Sequence, residues 1–236
     1  MSKFTINGHS IQEELLFLAQ KGNKTFTQSL HPGIEHILGI RIPDLRVLAR
    51  QIAASDWQAY LGQAGTYYME ERMLQGLVLG YIRPIPEVEA YLRYLDRFVE
   101  VINSWSVCDT FTFAGGKIWV QHHQSRIWTY ILSYMRSSRT YEIRFGVVMA
   151  LRYFVNREYV VQLLGELELV HHEDYYVKMA VAWAISVCFV YFPEVTMRFL
   201  TDNQLDDFTY NKSLQKIVES YRVAPSVKQV IKAMRR

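Results

Sequence analysis

Cysteine is nearly absent from this chain of 236 residues: Cys108 and Cys188 are its two examples, with no Cys-x-x-Cys spacing. That excludes a disulfide framework and a cysteine zinc site, and it predicts a reducing, cytoplasmic setting in which both thiols are small buried apolar groups. Long apolar runs are missing too. The longest uncharged hydrophobic stretch, Met179 to Phe192, has 14 residues, too short to cross a bilayer, so no membrane partner is expected. The N-terminal segment carries Glu13 and Glu14 and no apolar run of signal-peptide length, so secretion is not expected. A strong charge of either sign is lacking as well. Lys and Arg number 26 against 23 Asp and Glu, giving +3, which permits a polyanionic partner without demanding one. Strand-type alternation is scarce.

What is present is apolar spacing of three and four along nearly every segment, which predicts an all-α protein, with residues 1–236 forming one domain. Ser10 is placed to cap a helix bearing Ile11, Leu15, Leu16 and Leu18, ended near Gly22. Pro43 and Pro86 open further helices, each with acidic residues in the first turn. Asn103 and Ser104 offer caps for a helix starting near Trp105, and Gly115-Gly116-Lys117 breaks it. More helices are expected from Ser125, after Ser137-Ser138, and over 158–166, 173–192, 194–200, 205–221 and 226–236. None of the six prolines lies inside an expected helix.

Arg72, Cys108, Arg144, Lys178 and Lys212 recur at steps of 36, 36, 34 and 34 residues. Their neighbourhoods agree: Glu71 to Leu79, Ile143 to Leu151 and Val177 to Ile185 share one pattern of a cation followed by apolar and small residues. A period in the thirties predicts an α-solenoid of helix pairs, in which equivalent positions stack in one row. Counted from that row, Trp105 lies at minus three, Asp109 at plus one and Trp183 at plus five. At about 100° per residue, these and Arg144 project within a sector of roughly 140° on equivalent helices. They can therefore face one groove. Each also has a plainer explanation: the two tryptophans as core aromatics, Asp109 as half of a structural ion pair, and Arg144, Lys178 and Lys212 as a solvated face.

Ser-Trp-Ser-Val-Cys-Asp from Ser104, Tyr-Glu-Ile-Arg-Phe-Gly from Tyr141, Val-Lys-Met-Ala-Val-Ala-Trp-Ala from Val177 and Leu-Gly-Ile-Arg-Ile-Pro-Asp-Leu-Arg from Leu38 resemble the HEAT-like-repeat DNA alkylation repair family of the AlkD type. The resemblance runs along essentially the whole chain. It implies a curved stack of HEAT-like helix pairs whose concave, positively charged groove holds duplex DNA carrying a cationic N3- or N7-alkylpurine. It further implies a monofunctional DNA glycosylase that needs no cofactor and works as a monomer in the bacterial cytosol or nucleoid. Asp109 would be the catalytic carboxylate, Trp105 and Trp183 would flank the lesion's deoxyribose, and Arg144, Lys178, Lys212 and Arg72 would contact DNA.

The resemblance also implies a helix bearing an aromatic residue just before the Leu-Gly-Ile motif, probing the minor groove. Residues 22–33 here read as a loop, because Pro32-Gly33 breaks helices and Asn23, Thr25 and Thr27 form them poorly. Phe26 is the only aromatic in that stretch. A branch lacking the helix is expected to grip DNA weakly, with excision weakened or lost. Cys108, moreover, gives no charge at its place in the row. The alternatives are then a non-catalytic DNA-binding paralogue or a protein-binding helical scaffold. His122-His123 and His171-His172 do not make a metal site, since helical neighbours diverge by about 100° and no further ligand completes a set. Gly115-Gly116-Lys117 lacks the earlier glycine and the following Ser or Thr of a phosphate loop.

Overall fold

The computed structural model describes residues 4–236, which form fifteen α-helices and one small hairpin. The hairpin joins β1 (Thr5–Ile6) to β2 (His9–Ser10) antiparallel, with Thr5 opposite Ser10 and Ile6 opposite His9. Its turn, Asn7-Gly8, has φ of 55° and 81°, as a two-residue connection matching strand twist requires. This hairpin is the one departure from the all-α expectation among the described residues.

The chain packs as two compact units, dividing between His123 and Gln124. In the first unit the helices are α1 (Ile11–Ala19), α2 (Lys24–Ser29), α3 (Ile42–Ala53), α4 (Trp57–Leu61), α5 (Met69–Tyr81), α6 (Val88–Val101), α7 (Trp105–Thr110) and α8 (Gly116–His122). Helix α5 is its centre, packed on α3, α6 and α7. In the second unit they are α9 (Gln124–Met135), α10 (Thr140–Tyr153), α11 (Val160–Glu168), α12 (Tyr175–Tyr191), α13 (Pro193–Thr201), α14 (Asp207–Glu219) and α15 (Pro225–Ala233). Here α10, α12 and α14 pack side by side, while α9, α11, α13 and α15 cover them. Each unit is thus built in the layered manner of a helix-pair repeat.

The helix starts follow their chemistry. Ser10 accepts from the Glu13 amide while Glu13 reaches back to Ser10, a reciprocal cap on α1. Ser104 caps α7 by accepting from Val107. Pro43, Pro193 and Pro225 sit in the first turns of α3, α13 and α15, where a missing N–H loses nothing. Central helices bury nearly every residue, as the unbroken run Ile143 to Leu151 in α10 does. A flanking helix such as α6 buries one stripe, Tyr91, Leu92, Leu95, Phe98 and Val99.

The loop expected over residues 22–33 is corrected at its centre. Lys24–Ser29 is helical, with the Asn23 side chain accepting from the Phe26 amide at 3.0 Å and the Thr27 hydroxyl donating to the Asn23 carbonyl at 3.0 Å. The poor helix formers become the cap and first turn, and Pro32-Gly33 falls beyond the last residue of the helix.

Glycine positions test the close packing. A Cβ on Gly76 of α5 would lie 2.4 Å from the fully buried Phe98 ring, whereas one on Gly165 of α11 meets nothing within 4 Å. Gly76→Ala should therefore destabilise by about 1–3 kcal/mol. Gly165→Ala should stabilise by about 0.5–1 kcal/mol. Urea unfolding of the two variants checks this; shifts of the same sign would contradict the packing.

Candidate functional site

In the first unit the short helix α7 turns Ser106, Val107 and Cys108 inward, leaving Trp105 and Asp109, one turn apart, half-buried at its edge. Both line a cavity of about 500 Å³ whose other walls include Phe26 and Leu30 from the α2 segment, Ile40 of the Leu-Gly-Ile motif and Met73 of α5. The structure thus brings together the two site residues expected on α7. It also places the α2 segment on the same cavity.

The indole of Trp105 is fixed from two sides. Its Nε1–H donates to the Leu30 carbonyl at 3.2 Å, and its ring lies parallel to His31, with centroids 4.9 Å apart and planes 4° apart. His31 is buried. Its Nδ1 lies 2.7 Å from the Thr27 carbonyl, which only accepts, so Nδ1 carries the proton. In the neutral ring Nε2 is then the acceptor for the Ser106 hydroxyl at 2.7 Å. One histidine therefore ties the end of α2 to the start of α7.

A second buried polar group sets the other wall. The carboxylate of Glu70, 1% exposed, accepts from the backbone amides of Leu38, Gly39 and Ile40 at 3.0, 2.6 and 3.4 Å. Gly39 holds a φ of 80°, and a Cβ there would come within 2.4 Å of the Lys24 backbone; its carbonyl accepts from the Asn23 amide at 2.9 Å. Only glycine fits this contact between the motif and the first residue of α2. Neither Glu70 nor His31 stands out by motif or spacing among the site candidates of the sequence. Glu70 and Ser106 both stand two positions before the row residue of their helix, and this repeated polar position within apolar surroundings is the signal that could mark them.

The periodic row takes several roles. Arg72 on α5 donates from Nη1 to the Val101 carbonyl at 2.7 Å, and burial pushes its pKa below the usual value against the opposing effect of Glu71. Cys108 is fully buried. In the second unit Arg144, 6% exposed, donates from Nη1 to the Tyr176 carbonyl at 2.8 Å. Lys178 meets Glu173 at 3.0 Å and Asp206 at 3.5 Å, and Lys212 donates to Gln215 at 3.0 Å. Arg72, Arg144 and Lys178 each reach to the following repeat, so three of the row residues brace neighbouring repeats.

Trp183, half-buried on α12, opens on a cavity of about 340 Å³ in the second unit, lined also by Tyr191, Lys216 and Arg222. The Arg222 guanidinium stands over the Tyr191 ring at 4.4 Å. Lys212 lines a different cavity of about 450 Å³ with Phe208 and Arg235. Burial pushes the Cys188 thiol up to about 12, which keeps it an unreactive core group. Among the described residues no three His, Cys, Asp or Glu side chains gather as a metal site. The histidine pairs serve other ends: His172 accepts from the Asp174 amide, and His123 packs on Trp119.

A family model described as DNA alkylation repair enzyme matches residues 11–217, taking in α1 through most of α14. No curated protein matches the chain. No helix among the described residues is long and apolar enough to cross a membrane.

Two substitutions test the supports. Glu70→Ala strands the amides of Leu38, Gly39 and Ile40, two of them buried, and should destabilise the first unit by about 3 kcal/mol in urea unfolding, with Glu70→Gln costing less. An unchanged midpoint for Glu70→Ala would contradict the buried network. The second concerns acid. Burial would raise the Asp206 carboxyl, but hydrogen bonds from Thr209 and the Lys178 ammonium outweigh it and hold the group below its usual value. Its contribution is therefore full above the unfolded value near 3.8 and is lost as pH falls through the lower folded value. Asp206→Asn, which keeps a capping oxygen, should be less stable than wild type at pH 7 and converge with it once pH has fallen below the lowered folded value. Parallel pH profiles would count against the Lys178–Asp206 pair.

Proposed function

The chain belongs to the DNA alkylation repair family, and on that premise we propose that it hydrolyses the N-glycosidic bond of cationic N3- or N7-alkylpurines in duplex DNA. The observation that supports this most directly is the pairing of Trp105 and Asp109 on one cavity wall, with the indole held by Leu30 and His31.

Alkylation at N3 or N7 gives the purine a positive charge, so it departs as a neutral base with the bonding electrons and leaves positive charge on the sugar. What the protein must supply is a fixed anion beside that sugar and a water to add at its anomeric carbon. Asp109 fills that role in this reading. One carboxylate suffices, because the leaving group needs no proton, unlike the neutral leaving groups for which glycosidases use two. The indole face of Trp105, on the same cavity as Asp109, stabilises the cationic sugar and keeps bulk water away. The reaction is hydrolytic, requires no cofactor, and suits a monomer in the cytosol.

Duplex contacts come from Lys178 and Lys212, and from Arg72 and Arg144 acting from fixed positions, since each guanidinium is tied to a carbonyl of the following repeat. Phe26, 60% exposed on α2, is the group that enters the minor groove. The helix at Lys24–Ser29 supplies the element whose lack pointed to weak or absent excision, while buried Cys108 still leaves the row one charge short. A non-catalytic DNA-binding role is the competing reading, favoured by the brevity of α2 and by the bracing roles of the row.

Chromatographic detection of free N7-methylguanine released from methylated duplex DNA tests the proposal. Wild type should release the base, and Asp109→Asn should lower the single-turnover rate by at least about 100-fold. Phe26→Ala should weaken duplex binding while leaving the rate at saturating protein nearly unchanged. Absence of release with protein in large excess over DNA would sink the enzyme reading and leave the binding one.

A further inference from the structure

Beside the row of cations runs a second periodic feature. The first turn of each row-bearing helix, or the residue just before it, carries an aromatic three or four positions ahead of the row residue: Tyr68, Trp105, Tyr141, Tyr175 and Phe208. In the second unit these rings form a ladder over the starts of α10, α12 and α14. Tyr141 lies 6.2 Å from Tyr176, Tyr176 lies 5.5 Å from Tyr175, and Tyr175 lies 6.1 Å from Phe208. Tyr175 is 54% exposed and Phe208 39%. Lys178 and Lys212 stand 6.0 and 5.7 Å from the Phe208 centroid.

We propose that this ladder is a binding platform for single-stranded nucleic acid, with unpaired bases stacking on the exposed rings of Tyr175 and Phe208 and phosphates meeting Lys212. An exposed ring beside a cation gains from a base only when that base is not already stacked within a duplex. Every base has a π-face, so the surface tolerates any sequence. Lys212 is held by the neutral Gln215 and keeps its charge for a phosphate, whereas Lys178 is already paired with Glu173 and Asp206 and braces the platform from over the Phe208 ring. Repetition of the aromatic at the same point of successive repeats gives a strand successive stacking sites, as a tract of unpaired bases requires. The platform uses none of Trp105, Asp109 and Trp183, and shares Lys212 with the proposed duplex contacts. In a repair setting its ligand is the exposed strand of a gap, flap or frayed end.

Fluorescence anisotropy of labelled twelve-nucleotide strands tests this with the full chain. Wild type should bind oligo(dT) with a Kd below about 100 μM at low salt. A strand of the same length made of abasic spacers, which keeps the phosphates and lacks the bases, should bind about tenfold more weakly. Tyr175→Leu alone, and combined with Phe208→Leu, should lose affinity for oligo(dT) in proportion to the rings removed, with the fold checked by circular dichroism. Oligo(U) in parallel tells whether RNA or DNA is the better strand; binding of either supports the platform. Absence of binding to both strands would overturn the proposal, and so would equal binding of the abasic strand, an outcome independent of any variant. Failure of alkylpurine release leaves this test untouched, and failure here leaves the excision assay untouched.

Discussion

Three amide hydrogens converging on one buried carboxylate organise the first unit. Glu70 projects from the central helix α5 and holds Leu38, Gly39 and Ile40 in place. Hydrogen bonds to an ionised acceptor are stronger than neutral ones, and leaving such a group unpaired in the interior is expensive, so the segment has one arrangement. Everything on that side of the cavity follows. Gly39 then seats the first residue of α2, α2 ends where Leu30 and His31 reach Trp105, and His31 closes the circuit on Ser106 of α7. The position of the indole is thus determined by a carboxylate on another helix. A rigid wall of this kind is what a site working through fixed charge requires, since a group that must move during the reaction gives up part of its electrostatic benefit.

The row of cations shows how one periodic position can carry two demands. A residue at the same place in each central helix faces the next repeat, because the repeats are stacked copies of one unit. A long side chain there finds a backbone carbonyl or a capping carboxylate of its neighbour, as Arg72, Arg144 and Lys178 do. Stacking thereby selects for cations before any ligand is considered. The charge remains after the bond to a neutral carbonyl is made, so a braced arginine still contributes to the potential over the surface. Architecture and ligand binding need not compete for these positions. Cys108 illustrates the other outcome: α7 is short and its row position turns fully into the core.

Legibility in the sequence followed the range of the interactions involved. Ser10, Pro43 and Ser104 act on residues three or fewer positions away, and the helices they begin were readable from the chain. The period of 34 to 36 residues was readable because it recurs. In the α2 segment the same local rules misled: Pro32-Gly33 marks a break, but the break lies after the helix, and Asn23 and Thr27 weaken a helix interior while strengthening its start. The helix is also held from outside, by Gly39 packing on Lys24 and by His31 bonding to Thr27, and neither partner is marked by spacing. Glu70 escapes a reading of the chain because its role depends on amides some thirty residues away, to which composition and periodicity are blind. Trp105 and Asp109 were readable as neighbours, being i and i+4, whereas the support behind the indole was not.

The aromatic ladder and the Trp105 cavity are related by register and differ in what holds them. Trp105 occupies the same place in its repeat as Tyr141 and Tyr175, yet its ring is pinned by a histidine and a carbonyl, while Tyr175 stands more than half exposed against other rings. A repeat protein begins with equivalent positions, and the environment of each copy then sets its use. Where a neighbouring segment such as α2 closes over the aromatic, the ring becomes part of a fixed cavity with a carboxylate one turn away. Where no segment closes over it, as at Tyr175, the ring stays more than half exposed among other rings. An open face suits a partner that brings its own flat surface, and a closed one suits a reaction that must exclude water. The presence of both in one chain follows from a single aromatic position repeated along the stack.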